Sequence, residues 1–483
     1  MLKKLTMRLS WLTSNKYLAV AIIGLFAVIG FATLIPVFAV TASNVTVNFD
    51  SLNAQPLSPN AFSGTISTYK GDGQTITNNT TVSGNLHKLG LSTYRVPIQF
   101  NNGNPISSAG KGPTDITADT WIASIKKLGA EPEIVIGGSP SQPGSHDNNF
   151  LPSDAAGLVK YFNTHALDTV SGGTTISHYN PVKYWVIGNE PANLTADNAA
   201  TYCSRFNTTV DAMKAVDPSV VIIGPAISSL NTIFMKAFLQ CAGSKVDIVD
   251  YHEYAMGYTY LDNATTLART HYYSQKITQL RDLINKTVPT YASHIKIQVG
   301  EYNFTYRTAD GYQGYQGDDR MYQPVLTVWT ASVAGHIAQS GAIGHNYSDM
   351  SLPLLIKSKA DAAHFGQTAF TPMPGYYGLE MFTGGDLFRH FGQQMVTAST
   401  SLTNTEVYAS TNQKNVVLIN KSPSKSKVAH IILNGFNGGS ANIWQTNAAY
   451  PFAAPKLIKK LNSLQHDLTI TLPPYTVTTV VLN

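Results

Sequence analysis

The stretch VKYWVIGNEPAN, residues 182–193, decides how the rest of the chain is interpreted. Aromatic and β-branched residues up to Ile187 are typical of a buried strand, and the run then ends abruptly in GNEP. A buried charge is costly unless it is paired. Glu190 therefore indicates either a strand end in water or a functional site.

Similar segments recur along the chain between residues 56 and 385 and alternate with helical patterns such as residues 118–129. The eight predicted strands occupy residues 61–66, 92–98, 131–138, 182–189, 219–225, 246–254, 295–303 and 342–347. Eight strands that alternate with helices predict a parallel (β/α)8 TIM barrel, with a doubly wound open sheet as the alternative. No glycine-rich dinucleotide fingerprint follows the first strand, which favours the barrel.

The pattern changes near residue 386, where segments rich in β-branched residues follow one another with turn signals between them. We predict an antiparallel β-sandwich domain over residues 386–483, after a catalytic barrel over residues 56–385. The early segment NVTVNF, within residues 43–55, is expected to join the sheet of the sandwich. No low-complexity linker separates the two parts, so we expect them to pack directly.

Residues 1–42 are interpreted as a signal peptide or membrane anchor. Lys3, Lys4, Arg8 and Lys16 precede an uncharged apolar run over residues 17–42. This run could be cleaved after residue 42, or retained as an anchor, since it is long enough to span a bilayer. Both alternatives predict a secreted or extracellular protein, with the positive residues on the cytoplasmic side.

The two cysteines, Cys203 and Cys241, both lie in the part of the chain that would be exported. A disulfide persists in such a compartment. The positions of the cysteines, on one predicted helix and at the end of the next, allow pairing. Two buried thiols remain the alternative.

Composition limits the classes of partner. Charged residues make up 13% of the chain, against roughly 25% in ordinary globular proteins. The net charge of +5 lies partly at the N-terminus and partly in short lysine runs typical of a solvated face, which argues against nucleic acid. No His/Cys cluster has metal-ligand spacing, and neither a phosphate-binding loop nor a Gly-x-Ser-x-Gly elbow is present, so we predict no metal and no cofactor.

Two glutamates carry the candidate chemistry. Glu190 follows the fourth predicted strand, and Glu301, in QVGEYNF, ends the seventh. In a barrel both would face the same mouth, at the carboxyl ends of the strands. Cleavage of a glycosidic bond needs such a pair, because one carboxyl group donates a proton while the other stays ionised near the anomeric carbon. A retaining mechanism predicts carboxyl groups about 5 to 5.5 Å apart.

The two motifs resemble those of a known clan. GNEP at the fourth strand and GEYN at the seventh look like the acid/base and nucleophile motifs of the clan A retaining glycoside hydrolases, which have β/α barrels. Several families of this clan also carry a C-terminal β-sandwich, so the resemblance extends over about residues 44–483. Families 79, 39, 51 and 30 are the most similar: β-glucuronidase or heparanase-like enzymes, xylosidases, arabinofuranosidases and glucosylceramidase-like enzymes.

The resemblance implies roles for individual residues. Glu190 would be the general acid/base and Glu301 the nucleophile, while Asn189 would bind the 2-hydroxyl group of the sugar. Arg95, at the end of the second strand, matches a position that supports the nucleophile; the alternative is a structural ion pair.

His252 and Tyr254, after the sixth strand, match the group that contacts the nucleophile in the clan. Which of the two points inward is not decided by alternation, and a satisfied core histidine is the alternative for His252.

One position departs from the clan. Many members place a tryptophan at the end of the eighth strand as a sugar platform, whereas this chain offers His345 and Tyr347. Tyr302 and Tyr306 are also assigned to the substrate site. The loop GEYNFTYR resembles that of the glucuronidase-type family, in which a tyrosine helps to hold the uronate, and Arg307 follows in the same loop. Glu133 and Asp250 are interpreted as structural or solvent-facing carboxylates.

The resulting hypothesis is a retaining exo-type β-glycosidase acting on an oligosaccharide, polysaccharide or glycoconjugate, and a β-glucuronidase is one form of it. An α-L-arabinofuranosidase or β-xylosidase of the same clan is the alternative. A non-catalytic carbohydrate-binding surface protein is the alternative from another class.

Overall fold

Eight parallel strands close into a barrel in the computed structural model, which describes residues 43–53, 56–66, 76, 78–101, 104–107, 117–137, 151–169, 173–256, 260–305, 319–347, 354–356 and 359–483. The first twelve strands are β1 (Val45–Leu52), β2 (Ser63–Thr65), β3 (Thr93–Asn101), β4 (Asn104–Ser107), β5 (Glu131–Ile136), β6 (Leu167–Thr169), β7 (Thr175–Ser177), β8 (Tyr184–Ile187), β9 (Val221–Ile227), β10 (Ile248–Met256), β11 (Lys296–Thr305) and β12 (Ile343–Asn346).

Helices follow the barrel strands and cover the outside of the barrel. They are α1 (Thr80–Leu89), α2 (Ala118–Lys127), α3 (Pro152–Asn163), α4 (Ala196–Val216), α5 (Thr232–Ala242), α6 (Asn263–Ala268), α7 (Tyr272–Thr287), α8 (Pro324–Gln339), α9 (Lys359–His364) and α10 (Pro374–Thr383), with a 3-10 turn at Asp319–Tyr322. Side-chain caps fix several of their starts: Asn79 accepts from two backbone N–H groups of α1, and Thr195 accepts from one of α4.

The barrel is closed by hydrogen bonds between its first two strands. Its order around the ring is β2, β12, β11, β10, β9, β8, β5 and β3, and β2 pairs with β3 as well as with β12. Strand β4 pairs antiparallel with the end of β3 as a hairpin, and β6 and β7 form a separate hairpin between α3 and β8. The closed ring brings the carboxyl ends of all eight barrel strands to one mouth.

An irregularity in β11 sets the direction of a key side chain. Tyr251 of β10 pairs with Val299, but the next residue, His252, pairs with Glu301, so Gly300 is an extra residue in β11. A Cβ atom at position 300 would lie 2.4 Å from both carboxylate oxygens of Asp250, so only glycine fits there. The bulge turns Glu301 towards the barrel interior, where regular alternation would have turned it out.

The C-terminal part is a nine-stranded sheet with its own core. Its strands are β13 (Gln394–Thr400), β14 (Thr405–Thr411), β15 (Asn415–Asn420), β16 (Lys427–Asn434), β17 (Gly439–Gln445), β18 (Lys456–Leu464), β19 (Asp467–Leu472) and β20 (Thr476–Leu482). The order is β18, β17, β20, β15, β14, β13, β1, β16 and β19. Strand β1 therefore lies inside this sheet, antiparallel to β13 and parallel to β16.

Residues 43–483 form one compact unit, in which the sheet packs against helix α8 of the barrel. Gly335 lets the two approach, because a Cβ atom there would lie 2.3 Å from the ring of Tyr408. Glu406 of β14 accepts from the Ser332 hydroxyl at 2.6 Å, is paired with Lys421 and lies 3.4 Å from His336. A partly buried polar cluster thus joins barrel and sheet.

The structure confirms the predicted TIM barrel followed by a β-domain. It corrects one detail, since the sheet is not wholly antiparallel: β1 and β16 run parallel. Cys203 of α4 and Cys241 of α5 form a disulfide, so the alternative of two thiols is wrong. Among the helices that the structure describes, none is both long and apolar enough to cross a bilayer.

Candidate active site

Glu190 and Glu301 lie together at the mouth of the barrel. Glu190 follows β8 in a left-handed backbone conformation, with φ of 46°, and its N–H donates to the carbonyl of Ala226 at 2.8 Å. A residue other than glycine in this conformation is strained, and such strain often marks a functional position. Glu301 reaches the same mouth from β11 through the bulge at Gly300.

Both carboxylate oxygens of Glu301 are held by donors. The guanidinium of Arg95 donates through Nη1 to Oε1, and the hydroxyl of Tyr254 donates to Oε2 at 2.6 Å. Arg95 is 2% exposed and Glu301 is 8% exposed, so the ion pair is shielded from water. Charge-assisted bonds of this kind hold the carboxylate in one orientation.

Arg95 also connects Glu301 to Asn189 and His252. Its Nη2 donates to Oδ1 of Asn189 at 2.7 Å and lies 3.4 Å from Nε2 of His252. Because a guanidinium offers only donors, Nε2 of a neutral His252 faces it as an acceptor. The proton then sits on Nδ1, which lies 2.9 Å from Oε1 of Glu190.

Opposing effects act on the pKa values of the side chains around the two carboxylates. Burial lowers the pKa of His252, but the charge of Glu301 and the hydrogen bond to Glu190 outweigh it, so that the pKa is raised. Burial also lowers the pKa of Arg95, and the nearby carboxylates reverse this shift. The pKa of Tyr254 is raised well above its usual value by burial and then by Glu301. Arg95 therefore stays charged and Tyr254 stays a donor.

The two carboxylates and the imidazole form a compact triangle. One ligand atom each of Glu190, His252 and Glu301 lie within 4.8 Å of one another. Within the described part of the chain this is the one group that could also hold a metal ion. Hydrogen bonds from His252, Arg95 and Tyr254 account for the arrangement without an ion.

A second layer of polar side chains lies directly beneath the site, and a chain of donors fixes one proton there. Ser63 donates to the carbonyl of Asn60 at 3.0 Å, and Thr93 donates to Ser63 at 2.8 Å. Thr93 can then only accept from Nε2 of His345, at 2.7 Å. This nitrogen therefore carries a proton, and it lies 3.5 Å from Oε2 of Glu133.

The same layer contains two buried acids. Burial raises the pKa of Glu133 to about 8, against the lowering effects of Arg95 and Gln298. Burial likewise raises the pKa of Asp250 to about 6, although His252 and Arg95 oppose the shift. The pKa of His345 lies well below its usual value, because the ring is buried and is then repelled by positive charge. His345 is therefore neutral.

The structure brings together six of the nine residues predicted for the site: Glu190, Glu301, Arg95, Asn189, His252 and Tyr254. His252 and Tyr254 are two residues apart on β10 and both point inward, which answers the question that alternation left open.

Three predicted residues are not part of that group. Tyr302 is 1% exposed and packs with Tyr273 and Trp329 on the helix side of the barrel, because it follows the bulge. His345 is fully buried in the layer below the carboxylates, where substrate cannot contact it. Tyr306 lies outside the described residues, as does Arg307.

The polar layer beneath the site was the main feature that sequence reasoning missed. Glu133 and Asp250 are buried, which fits the structural interpretation and not the solvent-facing one, and no sequence motif points to Gln298. Gln298 in fact donates to Oε1 of Glu133 at 2.8 Å. A signal existed for Thr93, which lies two residues before Arg95 and therefore faces the same side of the strand.

A comparison with protein families supports a specific class of chemistry. Residues 118–297 match the family model described as the alpha-L-arabinofuranosidase 1 domain. The matched part begins with α2 and includes Glu190 and His252, but it ends before Glu301. A search among curated proteins found no match.

Solved structures with the same architecture include three instructive examples. An alpha-L-arabinofuranosidase from Thermotoga maritima, in complex with arabinose, is 15% identical, with a TM-score of 0.67 over 91% of this chain and 99% of that chain. The family 51 arabinofuranosidase from Xanthomonas axonopodis pv. citri is 14% identical, with a TM-score of 0.68 over 92% and 100%. A family 44 xyloglucanase from Paenibacillus polymyxa is 15% identical, with a TM-score of 0.62 over 91% and 99%. At such identities the likeness shows the fold alone.

Proposed function

We propose that this chain, a glycoside hydrolase, is a retaining exo-acting α-L-arabinofuranosidase. The observation that carries the proposal is the pair Glu190 and Glu301, which have oxygen atoms within 4.8 Å of each other at the mouth of the barrel. A retaining mechanism uses carboxyl groups about 5 to 5.5 Å apart, whereas an inverting one needs about 6.5 to 9.5 Å for a water molecule.

Glu301 is the nucleophile in this mechanism. Arg95 and Tyr254 hold its two oxygens, so the ionised carboxylate is oriented before substrate arrives. It attacks the anomeric carbon and forms a glycosyl ester, while the bond to the leaving oxygen breaks. Asn189, oriented by Arg95 at 2.7 Å, is placed to bind a sugar hydroxyl group beside the reacting carbon.

Glu190 is the acid and then the base. Its Oε1 accepts from Nδ1 of His252, so the proton for the leaving group is carried by Oε2. After the leaving group departs, the same carboxylate takes a proton from water, which attacks the ester and releases the sugar with net retention. His252 keeps Glu190 in one orientation through both steps.

The choice of sugar rests on the family match. The model that covers residues 118–297 is an α-L-arabinofuranosidase domain, which favours the alternative given by the sequence over a β-glucuronidase. No comparison specifically supports a glucuronide. The residues suggested for a uronate, Tyr306 and Arg307, lie outside the part of the chain that the structure describes.

We also propose that the protein works outside the cytoplasm. The apolar run over residues 17–42 and the disulfide between Cys203 and Cys241 both favour an exported protein. N-terminal sequencing of the protein recovered from its native host would distinguish a product that begins at Ser43 from an anchored chain. Activity confined to the cytoplasmic fraction would contradict export.

The proposed activity is tested with aryl glycosides of α-L-arabinofuranose, β-xylose, β-glucose, β-galactose and β-glucuronic acid. We expect chromophore release from the arabinofuranoside, and a loss of at least about 10³-fold in the Glu301→Gln variant. Glu131→Gln is the matched control, since Glu131 is exposed at the start of β5. Release of another sugar would correct the specificity. Inactivity on this panel and on oligosaccharides would favour the non-catalytic carbohydrate-binding alternative.

The stereochemistry of the first product tests the mechanism separately. Proton NMR spectra recorded in the first minutes of hydrolysis should show the anomer with the configuration of the substrate. Initial formation of the opposite anomer would rule out a covalent intermediate on Glu301.

A further inference from the structure

The mechanism leaves two buried carboxylates beside the catalytic residues without a role, Asp250 and Glu133, and Glu133 is the one paired with Arg95. Glu133 is 2% exposed and lies inside the barrel on β5, next to the strand that carries Arg95. A carboxyl group in this environment is costly unless surrounding groups compensate for its burial. Its position under the catalytic ion pair is therefore informative.

We propose that Glu133 is a positioning residue that orients Arg95, and through Arg95 the nucleophile Glu301, in the reaction proposed above. The inference rests on that proposed function. It assigns Glu133 no contact with the substrate.

The geometry places Glu133 and Glu301 at different edges of one guanidinium group. Arg95 and Glu133 are direct partners in the parallel register of β3 and β5. Nε of Arg95 lies 3.9 Å from Oε1 of Glu133, whereas Nη1 and Nη2 donate to Glu301 and Asn189. Nε has no hydrogen-bond partner among the described residues, and at 3.9 Å it interacts with the Glu133 carboxylate as an ion pair.

Glu133 is itself held firmly. Gln298 donates to its Oε1 at 2.8 Å, and the protonated Nε2 of His345 lies 3.5 Å from its Oε2. These neighbours come from β11 and β12, so residues on two other strands fix the direction of one carboxyl group. Because the Glu133 carboxyl group cannot rotate, it holds the guanidinium of Arg95 in one orientation. Groups that orient catalytic residues are usually fixed in this way by their own neighbours.

The charge on Glu133 determines how strongly it competes for Arg95. The charged or titratable groups that face it are Arg95 from β3, Asp250 from β10 and neutral His345 from β12, while Gln298 is uncharged. When Glu133 is protonated, Arg95 directs its charge to Glu301. When Glu133 is ionised, it also attracts the guanidinium of Arg95, and the interaction between Arg95 and Glu301 becomes weaker. The rate of attack by Glu301 should therefore decrease as pH rises through the pKa of Glu133, about 8.

An activated substrate isolates this effect from the acid role of Glu190. The 2,4-dinitrophenyl glycoside of the sugar identified by the panel has a leaving group that departs without protonation. Its kcat/KM therefore reports attack by Glu301, and it can be measured from pH 5 to pH 10 for the unsubstituted protein and for Glu133→Gln, Glu133→Ala and Glu131→Gln. Glu131→Gln makes the same chemical change two residues away, at an exposed position.

We expect kcat/KM of the unsubstituted protein and of Glu131→Gln to decline above about pH 8. In Glu133→Gln, which resembles the protonated acid, the decline of kcat/KM should begin about one pH unit or more higher. At pH 6 its kcat/KM should stay within about threefold of that of the unsubstituted protein. Glu133→Ala leaves Arg95 unsupported, so kcat should fall about tenfold or more while KM changes less than about threefold.

Three results would overturn the inference. Superimposable pH profiles for all four proteins would show that Glu133 does not act on Arg95. A Glu133→Ala variant with a lower Tm but unchanged kcat and KM would show a purely structural role. If the unsubstituted protein has no activity while it is folded by circular dichroism, the proposed function fails, and this inference fails with it.

Discussion

The phenolic hydroxyl of Tyr254 donates a 2.6 Å hydrogen bond to Oε2 of Glu301, the oxygen that Arg95 does not bind. One carboxylate is thus held at both oxygens by donors from two different strands, β3 and β10. For the nucleophile role proposed above, orientation by fixed donors reduces the reorganisation that must accompany attack. Substitution of Tyr254 therefore tests how much its hydrogen bond to Glu301 contributes to kcat.

Tyr254→Phe removes the hydroxyl and keeps the ring. A hydrogen bond to a charged group contributes about 1.5 to 3 kcal/mol, so we expect kcat to fall about 10- to 100-fold. Steady-state kinetics on the aryl glycoside would measure the change. Tyr272→Phe, at an exposed position on α7, is the control and should behave as the unsubstituted protein. An unchanged kcat in Tyr254→Phe would mean that Arg95 alone orients Glu301.

The disulfide should contribute substantially to stability. Cys203 and Cys241 are separated by 38 residues and join α4 to α5. Closure of such a loop in the unfolded chain corresponds to about 3 to 4 kcal/mol in the entropic model. We expect the double variant Cys203→Ser with Cys241→Ser to lose free energy of unfolding of that order in urea titrations. Reductant should destabilise the unsubstituted protein and leave the double variant unaffected; equal responses would contradict the prediction.

Glu406 should stabilise the protein at neutral pH and less so in acid. Burial would raise the pKa of Glu406, but His336 and Lys421 outweigh burial and bring it well below its usual value. The stabilisation is therefore present above about pH 4.5 and is lost as pH falls. Glu406→Gln removes the carboxylate paired with Lys421, which keeps its bonds to the Leu267 carbonyl and the Thr270 hydroxyl, so it should cost about 1.5 to 3 kcal/mol at pH 7 and less at pH 3.

Urea titrations at the two pH values would measure this difference. Asp211→Asn, which breaks an exposed ion pair with Lys245, is the control and should change stability by less than about 1 kcal/mol. A Glu406→Gln variant with the same deficit at pH 3 and pH 7 would contradict the ionic explanation.

Glu380 on α10 should have the opposite pH dependence. Burial, and then the charge of Asp386, raise its pKa to about 8, although Lys88 opposes the shift. The folded state therefore binds the proton more tightly than the unfolded state. Its contribution is fully present below about pH 4.5 and is lost as pH rises through about 8.

Glu380→Gln should consequently be more stable than the unsubstituted protein at pH 9, by on the order of 1 to 3 kcal/mol, and similar to it at pH 5. Thermal and urea unfolding at both pH values would measure this. Asp282→Asn, at an exposed position on α7, is the control. A Glu380→Gln variant that is less stable at both pH values would show that the carboxyl group makes a needed hydrogen bond.

The barrel was predictable because each of its strands is a short buried run followed by a polar loop. The strands that were not predicted lack this pattern. β6 is exposed along its length and β7 nearly so, which leaves no apolar signal to detect. The parallel pair of β1 and β16 was also beyond sequence reasoning, since local patterns carry no information about pairing between distant segments.

The pair of glutamates was predictable because Glu190 follows one barrel strand and Glu301 lies in the last half of another. The error at Tyr302 has a local cause: the extra residue Gly300 reverses the alternation of β11, and the sequence alone does not reveal a bulge. The layer of Glu133, Gln298 and His345 was missed for a different reason. Buried polar residues inside a barrel are recognised by their partners, and those partners lie on other strands.

The position of β1 has a consequence for how the protein is made. Val45 pairs with Thr400 on one side and with Ile431 on the other, so this early strand has no partners until nearly the whole chain has been synthesised. The barrel strands between them need no residue beyond Asn346 and can close first. During that interval β1 exposes unpaired backbone groups, as an edge strand does, and could associate with other nascent chains. Among the strands that the structure describes, β1 therefore waits longest for its partners during synthesis.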